Sequence, residues 1–303
     1  MSEYHTPVLL DQSVSALVTH PGGTYADATF GGGGHTAEIL SRLNGGGRVI
    51  AFDRDIDALE NRPGDERLTL IHNNFRFIEN YARSLGVRFD GILADLGVSS
   101  HQFDTAGRGF SFRYDAPLDM RMNTGGKRTA ADVVNGAGEE ELTRILESYG
   151  EVNAARKMAR LILAARSTAP LRTTGELCRA LEPLLPGGAG HKVLAKVFQA
   201  LRIEVNGEMR SLEKFLDGAA RSLRTGGRLV VITYHSLEDR MVKNFIRCGN
   251  VDGVEQKDLY GRINAPLEAL LRKPVLPEEQ EIAGNTRARS AKMRVAVKKE
   301  ETR

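Results

Sequence analysis

The first hundred residues alternate between short apolar runs of strand length and longer stretches with helical spacing. Thr24–Phe30, Arg48–Phe52, Leu68–His72 and Phe89–Leu96 read as strands, with Ala37–Leu43, Asp55–Asn61 and Phe75–Leu85 as helices between them. Asn44-Gly45-Gly46-Gly47 and Pro63-Gly64 close the first two helices. Parallel strands joined by helices of this length need right-handed crossovers, so the pattern predicts a doubly wound α/β sheet covered on both faces.

The rhythm breaks after Gly97. Residues 100–135 show little periodicity and read as ordered loop. Helical stripes follow, Met158, Leu161, Ile162 and Ala165 in one segment and Val193, Val197 and Leu201 in another. Thr173 and Glu176 have the spacing of a capping box. The α/β pattern then resumes. Leu212, Phe215, Leu216, Ala219 and Leu223 mark an amphipathic helix that Thr225-Gly226-Gly227 should end. Arg228–Tyr234 is the most strand-like run in the chain, Leu237–Ile246 reads as helix, and Met293–Val297 as a last strand at the sheet edge. The expected organisation is a discontinuous α/β domain over 1–103 and 204–303. Residues 104–203 form a loop plus helical insertion within it.

Composition narrows the class without choosing a function. Charged residues are 27% and hydrophobic residues 41% of the 303, as in soluble globular proteins. No apolar run reaches the roughly 18 residues that span a bilayer, and the start lacks a secretory pattern. A cytoplasmic protein with no membrane partner is expected. Cys178 and Cys248 make no CxxC pair, so neither a disulfide framework nor a metal site is expected. The net charge of +3 is compatible with RNA and proves nothing about it.

Three constellations carry chemistry. In Asp27-Ala28-Thr29-Phe30-Gly31-Gly32-Gly33-Gly34-His35-Thr36, glycines at a strand-to-helix turn let the backbone approach a ligand closely. Thr36 stands where a dinucleotide fingerprint has its third glycine. Asp53, 22 residues after Gly31, ends the second strand, where a carboxylate can accept from a ribose diol; Asp55 competes with it as a helix cap. Asp95 ends the fourth strand on the same edge, and Phe75 follows the third, where it could wall an adenine. These residues suit a nicotinamide cofactor and S-adenosylmethionine alike, so an oxidoreductase stays open at this point.

Longer segments are more specific. His5-Thr6-Pro7-Val8-Leu9-Leu10, Thr29–Thr36, Ala51-Phe52-Asp53-Arg54-Asp55 and Asp95-Leu96-Gly97-Val98-Ser99-Ser100 are followed by Arg108–Phe112 and Pro117–Met122. Phe198–Ile203, Asn206-Gly207-Glu208, Tyr234–Arg240 and Arg289–Lys292 complete the series. In this content and order the chain resembles the MraW/RsmH family of bacterial 16S rRNA cytosine-N4 methyltransferases. It departs from the family pattern at His101, Phe103, Ala116, Asn123 and Thr286, none of them in the expected cofactor set.

The resemblance implies a Rossmann-like class I S-adenosylmethionine-dependent methyltransferase sheet with an inserted helical domain. It implies cofactor contacts from Gly33, Gly34, His35, Asp53, Phe75, Asp95 and Gln102. The residues themselves point to most of these, whereas Gln102 rests on the resemblance alone. The acceptor implied is a cytosine in the decoding region of 16S rRNA, within the small ribosomal subunit, with homo-oligomerisation allowed. DNA or protein as acceptor is the other reading of the same chemistry.

An exocyclic amine is a poor nucleophile, and a hydrogen-bond acceptor on its N–H would localise the lone pair. Asp95 is the candidate catalytic residue; holding the cofactor is the alternative role for it, and Asp119 the alternative residue. Tyr234 or His235 would pack near the target base. Ser236, His235 and Glu238 do not make a triad, because adjacent side chains point apart. The insertion is the expected RNA-holding element: Glu151–Arg202 carries nine lysines and arginines against three glutamates. Arg156 and Arg160 are its first candidates. Arg108–Arg121 and the C-terminal Arg287, Arg289, Lys292 and Arg294 add further basic groups.

Overall fold

The computed structural model describes residues 7–188 and 190–300, so His5 and Thr6 of the first family-like segment lie outside the described residues. The chain divides into two compact units, Met1–Gly97 with Met209–Arg303, and Val98–Glu208. The second unit is longer at both ends than the insertion expected over 104–203. A capped helix begins just after Ser99, and the last long helix of the unit runs on to Asn206.

Along the first unit, α1 (Leu10–Leu17), β1 (Thr24–Asp27), α2 (Gly34–Arg42), β2 (Arg48–Asp53), β3 (Leu68–His72), α3 (Ile78–Ser84) and β4 (Phe89–Asp95) follow one another. The second unit supplies α4 (Ser100–Asp104), α5 (Ala130–Gly136), α6 (Glu139–Gly150), α7 (Ala155–Thr168), α8 (Thr174–Leu181) and α9 (Gly190–Asn206). The chain returns with α10 (Glu208–Ser222), β5 (Leu223–Thr233), α11 (Ser236–Cys248), β6 (Leu267–Ala269), α12 (Glu279–Gly284) and β7 (Lys292–Lys298).

The seven strands lie in the order β3-β2-β1-β4-β5-β7-β6. β1 to β5 are parallel and β7 runs antiparallel to β5 and β6. Side chains alternate between the two faces of a strand, and here each face has its own core. Ala26, Phe52, Ile92, Ala94 and Val231 join Ile78, Phe215 and Phe245 on one side. Tyr25, Val49, Leu93, Val230 and Ile232 join Val14, Leu17, Ile39 and Leu40 on the other. That two-sided burial is why these strands read as nearly unbroken apolar runs.

Several expectations need correction. Residues 100–135 are not all loop: α4, a 3-10 turn at Ala106–Arg108 and most of α5 fall there, too short to show a period. The helices after β2 and β3 are a 3-10 segment, Ile56–Asn61, and a 3-10 turn at Phe75–Phe77 leading into α3. Thr225-Gly226-Gly227 does not end a helix but lies within β5, where the register against β4 shifts between Phe89 and Gly91. β7 is not the sheet edge, because β6 pairs outside it. α1 had no assignment from the sequence.

In the second unit, α5 to α9 surround a core that includes Val133, Leu146, Met158, Ile162, Leu177 and Leu201. The Thr173–Glu176 capping box forms as expected. Buried Asn206 accepts from Met122 N at 2.8 Å and donates to Met120 O at 2.7 Å, pinning the loop before α5.

Candidate active site

In an open parallel sheet the ligand crevice lies at the carboxyl ends of the strands, where successive crossovers turn opposite ways. Here that switch falls between β1 and β4. Asp27, Asp53 and Asp95 are the last residues of β1, β2 and β4, so strand length alone brings three carboxylates to one edge.

Each carboxylate has a separate task. Asp27 is fully buried; its Oδ2 accepts from Thr36 Oγ1 at 2.7 Å and its Oδ1 from Thr29 N at 3.0 Å. Burial pushes its pKa up, and the Thr36 and Thr29 bonds oppose the rise. Thr36 is thus the partner of Asp27, which explains why the third glycine of a dinucleotide fingerprint is absent. Thr29 Oγ1 in turn accepts from Asp95 N at 2.7 Å, linking the ends of β1 and β4.

Asp53 holds the glycine turn. Its Oδ2 accepts from Gly31 N at 2.7 Å and its Oδ1 from Asp55 N at 2.8 Å. Asp55 is the residue that caps the following 3-10 segment, so Asp53 is not the cap. Burial pushes Asp53 up to about 6 against the pull of the two backbone donors. Each oxygen retains a lone pair for a further donor.

The turn itself is built for close approach. Gly31 and Gly33 have φ of 50° and 79°. A Cβ on Gly34 would stand 2.3 Å from Pro7 Cγ, so that helix start tolerates no side chain. His35 follows, 95% buried, with its pKa lowered by burial and hence neutral near pH 7. Its Nε2 meets no hydrogen-bond partner among the described residues. Phe75 is half-buried, edge-on to Phe215 at 5.1 Å.

Asp95 is the most unusual group. Tyr234 Oη donates to its Oδ1 at 2.7 Å, and His35 Nδ1 lies 3.9 Å from its Oδ2. Burial raises the pKa of Asp95 to about 6, with His35 and the Tyr234 hydroxyl acting the other way. Burial and Asp95 together hold the Tyr234 phenol far above its ordinary range, so it stays protonated and donates. Asp95 Oδ2 accepts no hydrogen bond among the described residues, and the side chain remains 21% exposed.

The first unit thus brings together six of the expected cofactor residues, Gly33, Gly34, His35, Asp53, Phe75 and Asp95. Gln102 belongs to the second unit, where it is buried and closes a capping box with Ser99, each bond 3.2 Å. The roles of Asp27, Thr36 and Tyr234 escaped sequence reasoning. For Tyr234 the only signal was its place at the end of β5, which suggested a base contact rather than a bond to Asp95. His235 and Glu238 form the N-terminal cap of α11, with Nε2 and Oε1 3.2 Å apart and Tyr234 N donating to Glu238 at 2.9 Å. Asp119 is gripped by Arg121 at 2.6 and 2.8 Å; burial favours its neutral form, but these bonds hold it below the usual carboxylate range. It is poorly suited to take a proton.

The basic count of the insertion also changes. Arg156 and Arg160 both pair with Glu139, at 2.8 and 3.0 Å. Arg166 caps the end of α5 through Val134 O and Ala137 O, and Arg202 pairs with Glu208 at 2.8 Å. Lys157 and Lys192 are exposed and meet no carboxylate among the described residues.

A doubly wound sheet whose carboxyl edge carries a glycine turn, a buried acid at the end of β2 and a half-buried aromatic ring after β3 defines the class of proteins that bind a nucleoside cofactor at that edge. Neutral His35 with an unpartnered Nε2, and the side-chain-free turn at Gly33 and Gly34, fit such a group. The chain belongs to the MraW methylase family, whose model matches residues 2–299. Ribosomal RNA small subunit methyltransferase H of Bacteroides thetaiotaomicron is 52% identical over 297 residues, covering 98% of both chains. The protein of that name from Christiangramia forsetii is 49% identical over 299 residues, covering 98% of this chain and 99% of its own. A solved S-adenosylmethionine-dependent O-methyltransferase from Thermotoga maritima aligns over all of this chain and 70% of its own, with 10% identity and a TM-score of 0.43. Membership of a methylase family decides for S-adenosylmethionine over a nicotinamide cofactor and sets the oxidoreductase reading aside.

Among the described residues no group of side chains could hold a metal ion, and no helix is long and apolar enough to cross a membrane.

Proposed function

We propose that the chain methylates the exocyclic N4 amine of a cytosine in the decoding region of 16S rRNA, in the cytoplasm and within the small ribosomal subunit. One observation carries this reading: Asp95 has one oxygen held by Tyr234 and the other open, on the edge that carries the glycine turn and Asp53. The names of the relatives support rRNA as the acceptor.

S-adenosylmethionine supplies a methyl group already activated on a sulfonium. The chain's part is alignment, exclusion of water and handling of the amine. Asp53 would receive the ribose hydroxyls, Gly33 and Gly34 would let the backbone approach, and Phe75 would wall the adenine. His35 would offer Nε2. Asp95 Oδ2 would accept an amine N–H and localise the nitrogen lone pair; as the N–C bond forms and the sulfonium leaves as a neutral thioether, it would take the proton that the amine loses. A carboxyl near 6 takes up a proton more readily than an ordinary aspartate. The target base must leave its stack to reach this edge. The unit Val98–Glu208 holds the RNA, through exposed cations such as Lys157 and Lys192.

The test is tritium transfer from labelled S-adenosylmethionine to small subunits from cells lacking the gene, to free 16S rRNA and to duplex DNA, with nucleoside analysis of the product. Label in N4-methylcytidine from the subunits is expected. No label in any acceptor, with cofactor binding intact, would sink the substrate assignment. Asp95→Ala should lose turnover, and near-normal methylation by it would move the catalytic role elsewhere.

A further inference from the structure

At the far end of the sheet from β3, a cavity of about 540 Å³ opens beside the edge strand β6, between α11 and the C-terminal end of the chain. It lies within the range of small-ligand pockets, roughly 300–1,000 Å³. Its floor is apolar, formed by Ile246, Ala265, Leu267 and Val295, with exposed Leu271 at the side. Its rim is cationic: Lys243, Arg247, Arg272, Arg294 and Lys299 against the single carboxylate of Glu268. Arg294 is already neutralised by Asp239 at 2.6 Å. Lys243, Arg272 and Lys299 pair with no carboxylate among the described residues, while Arg247 donates to Cys248 Sγ at 3.3 Å and feels the charge of Glu255.

The segment leading into β6 adds an exposed aromatic. Asp258 N donates to Arg262 O at 2.9 Å and Asn264 N to Gln256 O at 2.8 Å, closing a small ribbon. Ile263, at the base of the ribbon, lines the cavity. At its tip Tyr260 is 85% exposed, with the Arg262 guanidinium over its ring at 5.9 Å. A ring held in water at such exposure gains nothing from folding, and with its neighbouring arginine it is a platform for another flat ring.

We infer that this cavity and the Tyr260 ribbon form an accessory site for a single-stranded stretch of the RNA substrate. A base seats on the apolar floor, a neighbouring base stacks on Tyr260, and phosphates lie against Lys243, Arg247, Arg272 and Lys299. Base stacking on aromatics together with unpaired cations is how proteins hold single strands without reading sequence. The inference rests on the RNA-acceptor reading above and adds a second RNA-binding region, built only from residues of the first unit.

The test uses the full chain, the double variant Lys243→Glu/Arg247→Glu, and Tyr260→Ala. The binding probe is a fluorescein-labelled single-stranded oligouridine, with a duplex RNA of equal length beside it. Both variants should bind the single strand roughly tenfold more weakly or worse, and the double variant should lower the salt slope by about 0.7 for each phosphate it no longer neutralises. The KM for small subunits should rise while kcat and calorimetric affinity for S-adenosylmethionine stay unchanged. Unchanged oligouridine affinity in both variants overturns the inference. So does a double variant whose only defect is in self-association or in binding phosphatidylglycerol vesicles. Because the oligouridine assay needs no methyl transfer, its result stands apart from whether 16S rRNA proves to be the acceptor.

Discussion

The Tyr234 hydroxyl donates to Asp95 Oδ1 at 2.7 Å, joining the ends of the two central strands β4 and β5. This bond fixes one carboxylate oxygen and leaves the other without a hydrogen bond among the described residues. It also sets the charge of Asp95, since a donor on the ionised form opposes the rise that burial causes.

Tyr234→Phe removes that donor and keeps the ring. Asp95 should then titrate above its present value of about 6, so the acid limb of the kcat profile should move to higher pH. A hydrogen bond to a charged group contributes about 1.5–3 kcal/mol, or about one to two pKa units, so kcat near pH 7 should fall about two- to fifteenfold. A pH–rate profile of both proteins checks this; a limb that stays in place would make Tyr234 a packing residue only.

Asp53→Ala should weaken S-adenosylmethionine binding by roughly ten- to a hundredfold in Kd, because it removes the proposed diol acceptor and also frees Gly31 N. At saturating cofactor, kcat should be nearly unchanged. Calorimetry and a cofactor titration of the rate separate the two effects.

Protons should be exchanged on cofactor binding. Asp53 and Asp95 titrate near 6 in the folded chain and near 4 when unfolded. Their pKa values are raised by folding, so the stability they contribute is full below about pH 4 and lost as pH rises through about 6. Hydroxyls or a positive charge placed against these carboxylates favour the ionised form. Binding at pH 6 should therefore release protons, and binding should weaken as pH falls below 6. Calorimetry in two buffers of different ionisation enthalpy measures the release; identical heats would mean neither carboxylate changes its charge.

Gly34→Ala places a Cβ at 2.3 Å from Pro7 Cγ, whereas Gly45→Ala meets nothing within 4 Å. Overpacking costs about 1–3 kcal/mol, so the first variant should lower Tm and cofactor affinity together and the second should do neither.

Charge reversal in the second unit should discriminate among its cations. Lys157→Glu and Lys192→Glu should each lower the salt slope of RNA binding by about 0.7. Arg156→Glu and Arg160→Glu should lower it less, because Glu139 already occupies both guanidiniums. Equal slopes for all four variants and the parent would remove this surface from RNA binding.

Local pattern reaches a definite depth in this chain. The central strands were legible because burial on both faces leaves continuous apolar runs, and Asp53 and Asp95 because each follows such a run directly. The short helices between 100 and 135 were not, since five to seven residues span too few turns to show a period. The edge position of β6 was hidden because three residues carry no alternation to read.

The order of residues by itself determined the strand-and-helix alternation, the glycine turn after β1 and the acids at strand ends, because these depend on neighbours a few positions away. Only the tertiary structure decided that Thr36 answers Asp27, that Tyr234 holds Asp95 across 139 positions, and that Arg156 and Arg160 are held by Glu139. A hydrogen bond or ion pair depends on distances of about 3 Å between atoms. Those distances are set by how strands and helices pack, which no local spacing encodes.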